Sequence, residues 1–384
     1  MRTLKIPAAV TALFLLLTQG AGAAIIENVM AQQRPKSDIV DVYYDLVESG
    51  GGVFDVSISI EGGGDKPLLS TLSGDVGVDI VPGRNKHIVW DAGADWPNHL
   101  QSNFVATVTA SPDYGMVLIP GGSNIGSNPD PDMGSYSLTV DSFYMDRTEM
   151  KYMRWKFVYD WALEHGYQFD NAGGGKALDH PVQKVNWYDC VKWCNARSEM
   201  SELEPVYYVG GEIYRAGQSE PMVDTSKTGY RLPTSDEWEY AARGGLSNHR
   251  FPWGGLVSYK PGLISHDRAN YACMSGTDDT EAITYFFNES SPNRYNPLYS
   301  TGAYPYTAPV ASFPANGYGL YDMIGNVREW TGTASGSSLI LRGGTWSSNG
   351  RLCRTGSLQT AAPDTTNYST GFRTVRRHKV LEEP

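Results

Sequence analysis

Between residues 245 and 377 glycine and proline recur too densely for any long helix or strand to fit, since glycine weakens regular elements and proline removes a backbone donor. The stretch leading into it from Tyr114 reads as glycine-punctuated strands with a few helices. A helical bundle is thereby excluded, and an α+β, loop-rich domain is expected. The chain carries 42 Gly, 24 Tyr and 10 Trp against 19% charged residues, so large aromatics must do the packing. This composition is unlike that of a disordered chain.

Helical spacing of apolar residues marks 152–166 and 187–198. The sharpest start signal is Thr234-Ser-Asp-Glu237, a capping box in which the threonine oxygen and the glutamate each satisfy an orphan backbone N–H. It predicts a helix over 235–242, ended by Gly244-Gly245. Asp236, Glu237 and Glu239 are explained by that helix start as capping and dipole partners, not as a catalytic carboxylate pair.

Residues 39–111 have a different character. Val40, Val42, Tyr44 and Leu46 share one strand face, and Phe54, Val56, Ile58 and Ile60 another. The turns Gly50-Gly51-Gly52 and Gly62-Gly63-Gly64-Asp65, with strands at 86–90 and 104–109, complete a small all-β sandwich of the immunoglobulin-like kind over 36–111. It is expected to be a structural or partner-docking module. Two domains agree with a prior of roughly 150 residues per domain.

Ahead of them, Arg2 and Lys5, the apolar run 6–17 and Ala21-Gly22-Ala23 read as a secretory signal peptide over 1–24. The run is too short to span a bilayer, and no later segment is long and apolar enough. The protein is therefore expected to be exported to a periplasmic or extracellular space, without a membrane span. Loss of Arg2 and Lys5 lowers the net charge by two, from −11 to −13, which disfavours nucleic acid as a partner. A polar tail occupies 378–384.

Export permits disulfides among Cys190, Cys194, Cys273 and Cys353. Cys190 and Cys194 would share a helix face about 5–6 Å apart, beyond the ~3.5–4.5 Å that a disulfide requires between Cβ atoms. The pairing is otherwise open. His87, His99, His165, His180, His249, His266 and His378 are scattered and form no ligand cluster.

Several segments stand in a fixed order: Met116-Val-Leu-Ile-Pro-Gly-Gly122, His180-Pro-Val-Gln-Lys-Val-Asn-Trp-Tyr-Asp189, the stretch 230–245 containing the capping box, Phe251-Pro-Trp-Gly254, the stretch 316–330, Arg342-Gly-Gly-Thr345 and Gly371-Phe-Arg373. Together they resemble the sulfatase-modifying factor, or formylglycine-generating enzyme, superfamily over 114–377. The resemblance implies a variant of the C-type lectin fold with little regular structure. Relatives include aldehyde-forming oxidases that modify sulfatases, iron-dependent sulfoxide synthases and non-catalytic binding proteins, so the fold does not settle the function.

The oxidases hold Cu(I) between two thiols separated by four residues. In this sequence the second thiol falls on Cys353 and the first on Ser348, a hard oxygen ill suited to soft copper. The resemblance also implies a structural calcium ion at the side chains of Asp322 and Glu329 and the carbonyls of Gly325 and Val327. The competing reading is that Asp322 caps a turn and Glu329 pairs with an arginine. A second calcium position would match Asn270, Tyr271 and the Tyr304 carbonyl, but Gly302 stands where a ligand aspartate is expected.

The segment that lines the binding groove of the oxidases carries Trp346, Ser347, Asn349, Arg351 and Arg354. An aromatic plate beside guanidinium forks suits a peptide, carboxylate or sugar. Equally, Trp346 is core and the arginines answer the acidic charge. Three functions remain open: a ligand- or protein-binding member without copper chemistry, an oxygen-dependent oxidase with a substitute ligand, and an accessory subunit that docks through its sandwich.

Overall fold

The computed structural model describes residues 25–47, 53–62, 67, 69–97, 104–113, 115–253, 263–273 and 294–378. The expected signal peptide, the turn Gly50-Gly51-Gly52, most of Gly62-Gly63-Gly64-Asp65, His99 and the tail beyond His378 lie outside them. The chain divides into two compact units, the first ending at Asp113 and the second beginning at Tyr114.

Two antiparallel sheets of four and three strands make up the first unit. Strand Ile39–Val47 buries Val40, Val42, Tyr44 and Leu46 and leaves the residues between them partly accessible. Strand Val53–Gly62 pairs along its length with Phe104–Asp113 and buries Phe54, Val56 and Ile60. These residues, with Ile88 and Trp90, form one apolar core. One boundary differs from expectation. Residues 25–33 form a strand that pairs with Ile39–Val47, so the sheet extends ahead of residue 36. A bulge between Glu27 and Met30, with Asn28 at φ +52°, shifts the alternation midway and hides the strand from a period-two reading.

Among the described residues, short strands and three helices of eight or more residues build the second unit: Tyr152–Glu164, Trp187–Met200 and Ser235–Arg243. All fall where the spacing predicts, within two residues at each end. The third opens with the Thr234/Glu237 capping box and closes on Gly244 at φ +58°, as its sequence requires. Asn186 and Asp189 form a second capping box that opens the middle helix. The first two helices pack through Trp155 and Trp193, stacked 5.8 Å apart with the edge of Phe372 against both. The Ser235–Arg243 helix buries Trp238, Ala241 and Ala242 against Ile119, Met145, Leu320 and Val375. The fold class is α+β and loop-rich. Among the described residues no helix is long and apolar enough to cross a membrane.

Candidate functional site

A hairpin of Arg328–Ser335 and Ser338–Arg342, extended by Leu358–Ala361, is the platform for the segment that carries Ser348 and Cys353. The chain leaves the hairpin at Arg342, crosses residues 343–357 as an irregular loop and returns as Leu358–Ala361. Arg342 anchors the exit. Its Nε and Nη2 donate to Ser235 Oγ, and Nη2 lies 3.0 Å from a Glu239 oxygen. Gly344, at φ +74°, is needed there because a Cβ would stand 2.7 Å from Cys353 Sγ.

Ser348 and Cys353 lie inside that loop and not on a groove floor. Ser348 Oγ accepts the Thr345 amide at 3.0 Å and lies 3.1 Å from Thr345 Oγ1, while its carbonyl accepts the Ala272 amide. Cys353 is sealed from solvent among Phe251, Ile264, Tyr271, Cys273 and Ile324. Burial pushes its thiol up to about 12, although the Thr345 and Gly325 amides oppose the shift. All four cysteines are buried free thiols. A bonded hydroxyl and one buried thiol supply only one of the two sulfurs, so these two residues by themselves do not fit Cu(I).

In the loop after Asp322, Glu329 is held by an arginine. Arg373 donates through Nε and Nη2 to its two oxygens at 2.8 and 2.7 Å, and Trp238 Nε1 adds a third bond at 2.8 Å. Asp322 Oδ2 accepts the Ala311 amide at 2.5 Å, and its Oδ1 is buried without a partner. Burial pushes the Asp322 carboxyl up to about 7. Glu149, whose oxygens take the Val327 amide and the Asn326 amide group, is raised well above its ordinary range by burial and then by Asp322 and Glu329. Three buried carboxyls thus share one guanidinium. The orphaned Asp322 oxygen and the backbone of Gly325 and Val327 fit a calcium ion in donor chemistry, with Glu329 already committed to Arg373.

The second calcium position lacks a carboxylate, and two of its residues have other contacts. The Tyr271 carbonyl faces His266 Nε2 at 3.2 Å, the Asn270 side chain donates to the Tyr306 carbonyl and Asn326, and Gly302 supplies no carboxylate.

The expected groove residues also take other places. Trp346 is 5% exposed and forms the inner wall of a cluster with Tyr295, Tyr304 and Tyr306, with centroids 5.4–5.5 Å from its own. Its amide bonds the Asn326 carbonyl, which turns the indole inward. The exposed plate is Tyr304, 60% accessible and stacked on Tyr306 at 4.5 Å. Arg351 and Arg354 are not open forks either. Arg354 is buried on Asp130 and Asp132, and Arg351 pairs with Asp132 at 2.8 Å. Asn349 Oδ1 accepts the Leu352 amide within its own turn. Spacing could not show this, because Asp130 and Asp132 lie more than 200 residues away in the chain.

Residues without a signal in the sequence complete this face. Tyr368, 52% exposed, accepts the Trp346 indole N–H on its carbonyl at 3.3 Å and carries the Lys184 ammonium 4.4 Å from its ring centroid. Lys176 lies 5.9 Å from the Tyr306 ring centroid.

Comparison with known proteins bears on the same unit. The chain is 30% identical over 252 residues to "Chaperone protein LppX" of Paenibacillus barcinonensis, covering 61% of this chain and 79% of that one. It is 27% identical to the mouse formylglycine-generating enzyme over 68% of this chain and 75% of the enzyme. It is also 27% identical to the bovine "Inactive C-alpha-formylglycine-generating enzyme 2", over 59% of this chain and 68% of that protein. The solved structure of CarF superposes with a TM-score of 0.52 at 26% identity, covering 69% of this chain and 99% of CarF. The model of the sulfatase-modifying factor enzyme 1-like domain matches residues 101–378, and the chain belongs to that family.

Proposed function

We propose that this chain is a binding member of its family, without copper oxidase chemistry, whose ligand meets the face built by Tyr304, Tyr306, Trp346 and Tyr368. The observation that carries this reading is the state of the two expected thiol positions. Ser348 is a serine engaged by Thr345, and Cys353 is a single thiol sealed from solvent. Aromatic side chains with a polar handle, rimmed by ammonium groups, suit recognition of a protein or small ligand. Similarity to both active and inactive formylglycine-generating proteins leaves room for either fate. Anaerobic Cu(I) titration, with a Cys353→Ser control and oxygen consumption on a sulfatase-motif peptide, tests it. The expected result is no stoichiometric uptake and no peptide oxidation.

An oxidase with a substitute ligand has one observation in its favour: Cys273 shares the buried cluster with Cys353. One-to-one Cu(I) uptake abolished by Cys273→Ser would establish it against the binding reading.

The cation proposed alongside is calcium, held by Asp322 and the carbonyls of Gly325 and Val327. Bound there, it would neutralise buried carboxylate charge and fix the loop that leads from Asp322 into the strand carrying Glu329 and Trp330. Removal of calcium with a chelator should lower the melting temperature, and calcium but not magnesium should restore it. Export through the signal peptide is part of the same reading. Cleavage near Ala23 in a secreting host, read by N-terminal sequencing, is its test.

A further inference from the structure

Several buried guanidinium groups in the second unit rest on carboxylates: Arg197 on Asp146, Arg231 on Glu237, Arg373 on Glu329. Arg328 does not. It is partly buried at the head of strand Arg328–Ser335, and among the described residues no carboxylate lies within 4.0 Å of it. Its side chain is nevertheless fixed. Nε donates to Thr370 Oγ1 at 2.8 Å and Nη1 to Gln359 Oε1 at 2.7 Å. Thr370 is oriented in turn by donating its hydroxyl to Asn367 Oδ1 at 2.8 Å. Two neutral acceptors of the same sheet therefore aim a charged group without neutralising it.

Arginine carries five N–H donors in a planar fork. Among the described residues the Nη2 pair has no acceptor, yet Nη2 is not among the side-chain nitrogens sealed from solvent without a partner. A half-buried charge without a counter-charge is costly unless something pairs with it. Arg328 also adjoins the proposed binding face. Its amide donates to the Ser369 carbonyl, next to Tyr368, on which the Trp346 indole N–H rests. The Lys184 ammonium over the Tyr368 ring adds positive charge to a chain whose net charge is −11.

We infer that Arg328 is an oxyanion anchor, which pairs through its Nη2 edge with a carboxylate or a tetrahedral oxyanion on the ligand while Tyr368 packs against the ligand's flank. The inference names the recognition chemistry of the face proposed above and rests on that reading for its location. Guanidinium recognises planar and tetrahedral oxyanions through paired N–H bonds, an arrangement that an ammonium does not reproduce.

The test is isothermal titration of the full chain at constant ionic strength with three probes: sulfate, phosphate and acetyl-Glu-Tyr-amide. Acetyl-Gln-Tyr-amide is the neutral control. Saturable binding of at least one anionic probe is expected, weakened roughly tenfold or more in Arg328→Gln, as loss of charge-assisted hydrogen bonds implies. Arg328→Lys should retain part of the affinity, with unchanged circular dichroism in both variants. Binding of the acidic peptide identifies a polypeptide carboxylate, and binding of only the inorganic ions identifies a small oxyanion. The inference is overturned if no probe saturates, if folded Arg328→Gln and Arg328→Lys bind as the parent does, or if the neutral peptide binds as well as the acidic one. Copper uptake with intact Arg328-dependent anion binding would overturn only the non-oxidase reading.

Discussion

Arg373 and Glu329 form a two-pronged ion pair in which neither side chain is more than 1% exposed, with N–O distances of 2.8 and 2.7 Å. Arg373 also donates to the Tyr321 carbonyl at 3.0 Å, so one guanidinium ties the final strand region to the loop after Leu320 and to the hairpin. Breaking a buried pair from one side leaves an uncompensated charge. Arg373→Met should cost about 3–5 kcal/mol, read as a lower urea midpoint at an unchanged slope. The double variant Arg373→Met, Glu329→Leu should recover part of that loss, because both charges then leave together. A single variant as stable as the parent would mean that the pair is not buried in solution.

That pair also shows where sequence reading stops. Gly371-Phe-Arg373 and the stretch around Glu329 are both visible as motifs, and their spacing allows either a calcium ligand or an arginine partner. Local signals were legible: the capping box at Thr234, the αL glycine at 244 and the alternating core of strand Ile39–Val47 each follow from neighbours in the chain. Partnerships across the chain were not. Asp130 and Asp132 on Arg354, or Thr370 and Gln359 on Arg328, are set by which loops the fold brings together. Trp346 stayed open between groove and core for the same reason, since only the three-dimensional path decides whether a loop tryptophan turns inward and leaves Tyr304 on the surface.

Gly344 and Cys353 are in close contact, and their interplay is measurable. A methyl group at Gly344 would meet Cys353 Sγ at 2.7 Å and the Leu352 carbonyl at 3.0 Å, on a backbone at φ +74°. Gly344→Ala should therefore destabilise by roughly 1–3 kcal/mol from backbone strain, with overpacking added. Cys353→Ala in the same chain should relieve the steric part but not the backbone part. Full additivity of the two changes would show that the sulfur is not what the methyl group meets.

The raised thiol of Cys353 couples stability to alkaline pH. Its value in the fold, about 12, exceeds the ordinary 9.0 because burial disfavours the thiolate. Between those values the folded state holds a proton that the unfolded state has lost, so this contribution is intact below about pH 9 and declines as pH rises toward 12. Cys194 is shifted in the same direction by burial. Denaturant titrations at pH 8 and pH 10 should show the parent losing more stability than Cys353→Ala. A thiol reagent at pH 8 should react with all four cysteines only after unfolding. Rapid labelling of Cys353 in the native chain would contradict its burial.

Ser348→Cys distinguishes a lost site from a relocated one. The change places a thiol at the position where Ser348 Oγ now takes the Thr345 amide, four residues before Cys353 in the intervening count. Sulfur is larger than oxygen and a weaker acceptor, so the Thr345 turn should loosen and stability should fall by about 1 kcal/mol. If the missing sulfur is all that separates this chain from a copper-binding relative, the variant should take up one equivalent of Cu(I) under anaerobic conditions where the parent takes up none. If the sealed cluster around Cys353 is the barrier, the variant should stay metal-free and its two thiols should resist labelling in the native state. Stoichiometric uptake by the unaltered parent, equal to that of the variant, would reject the binding reading and return attention to Cys273 as the sulfur that stands in for Ser348.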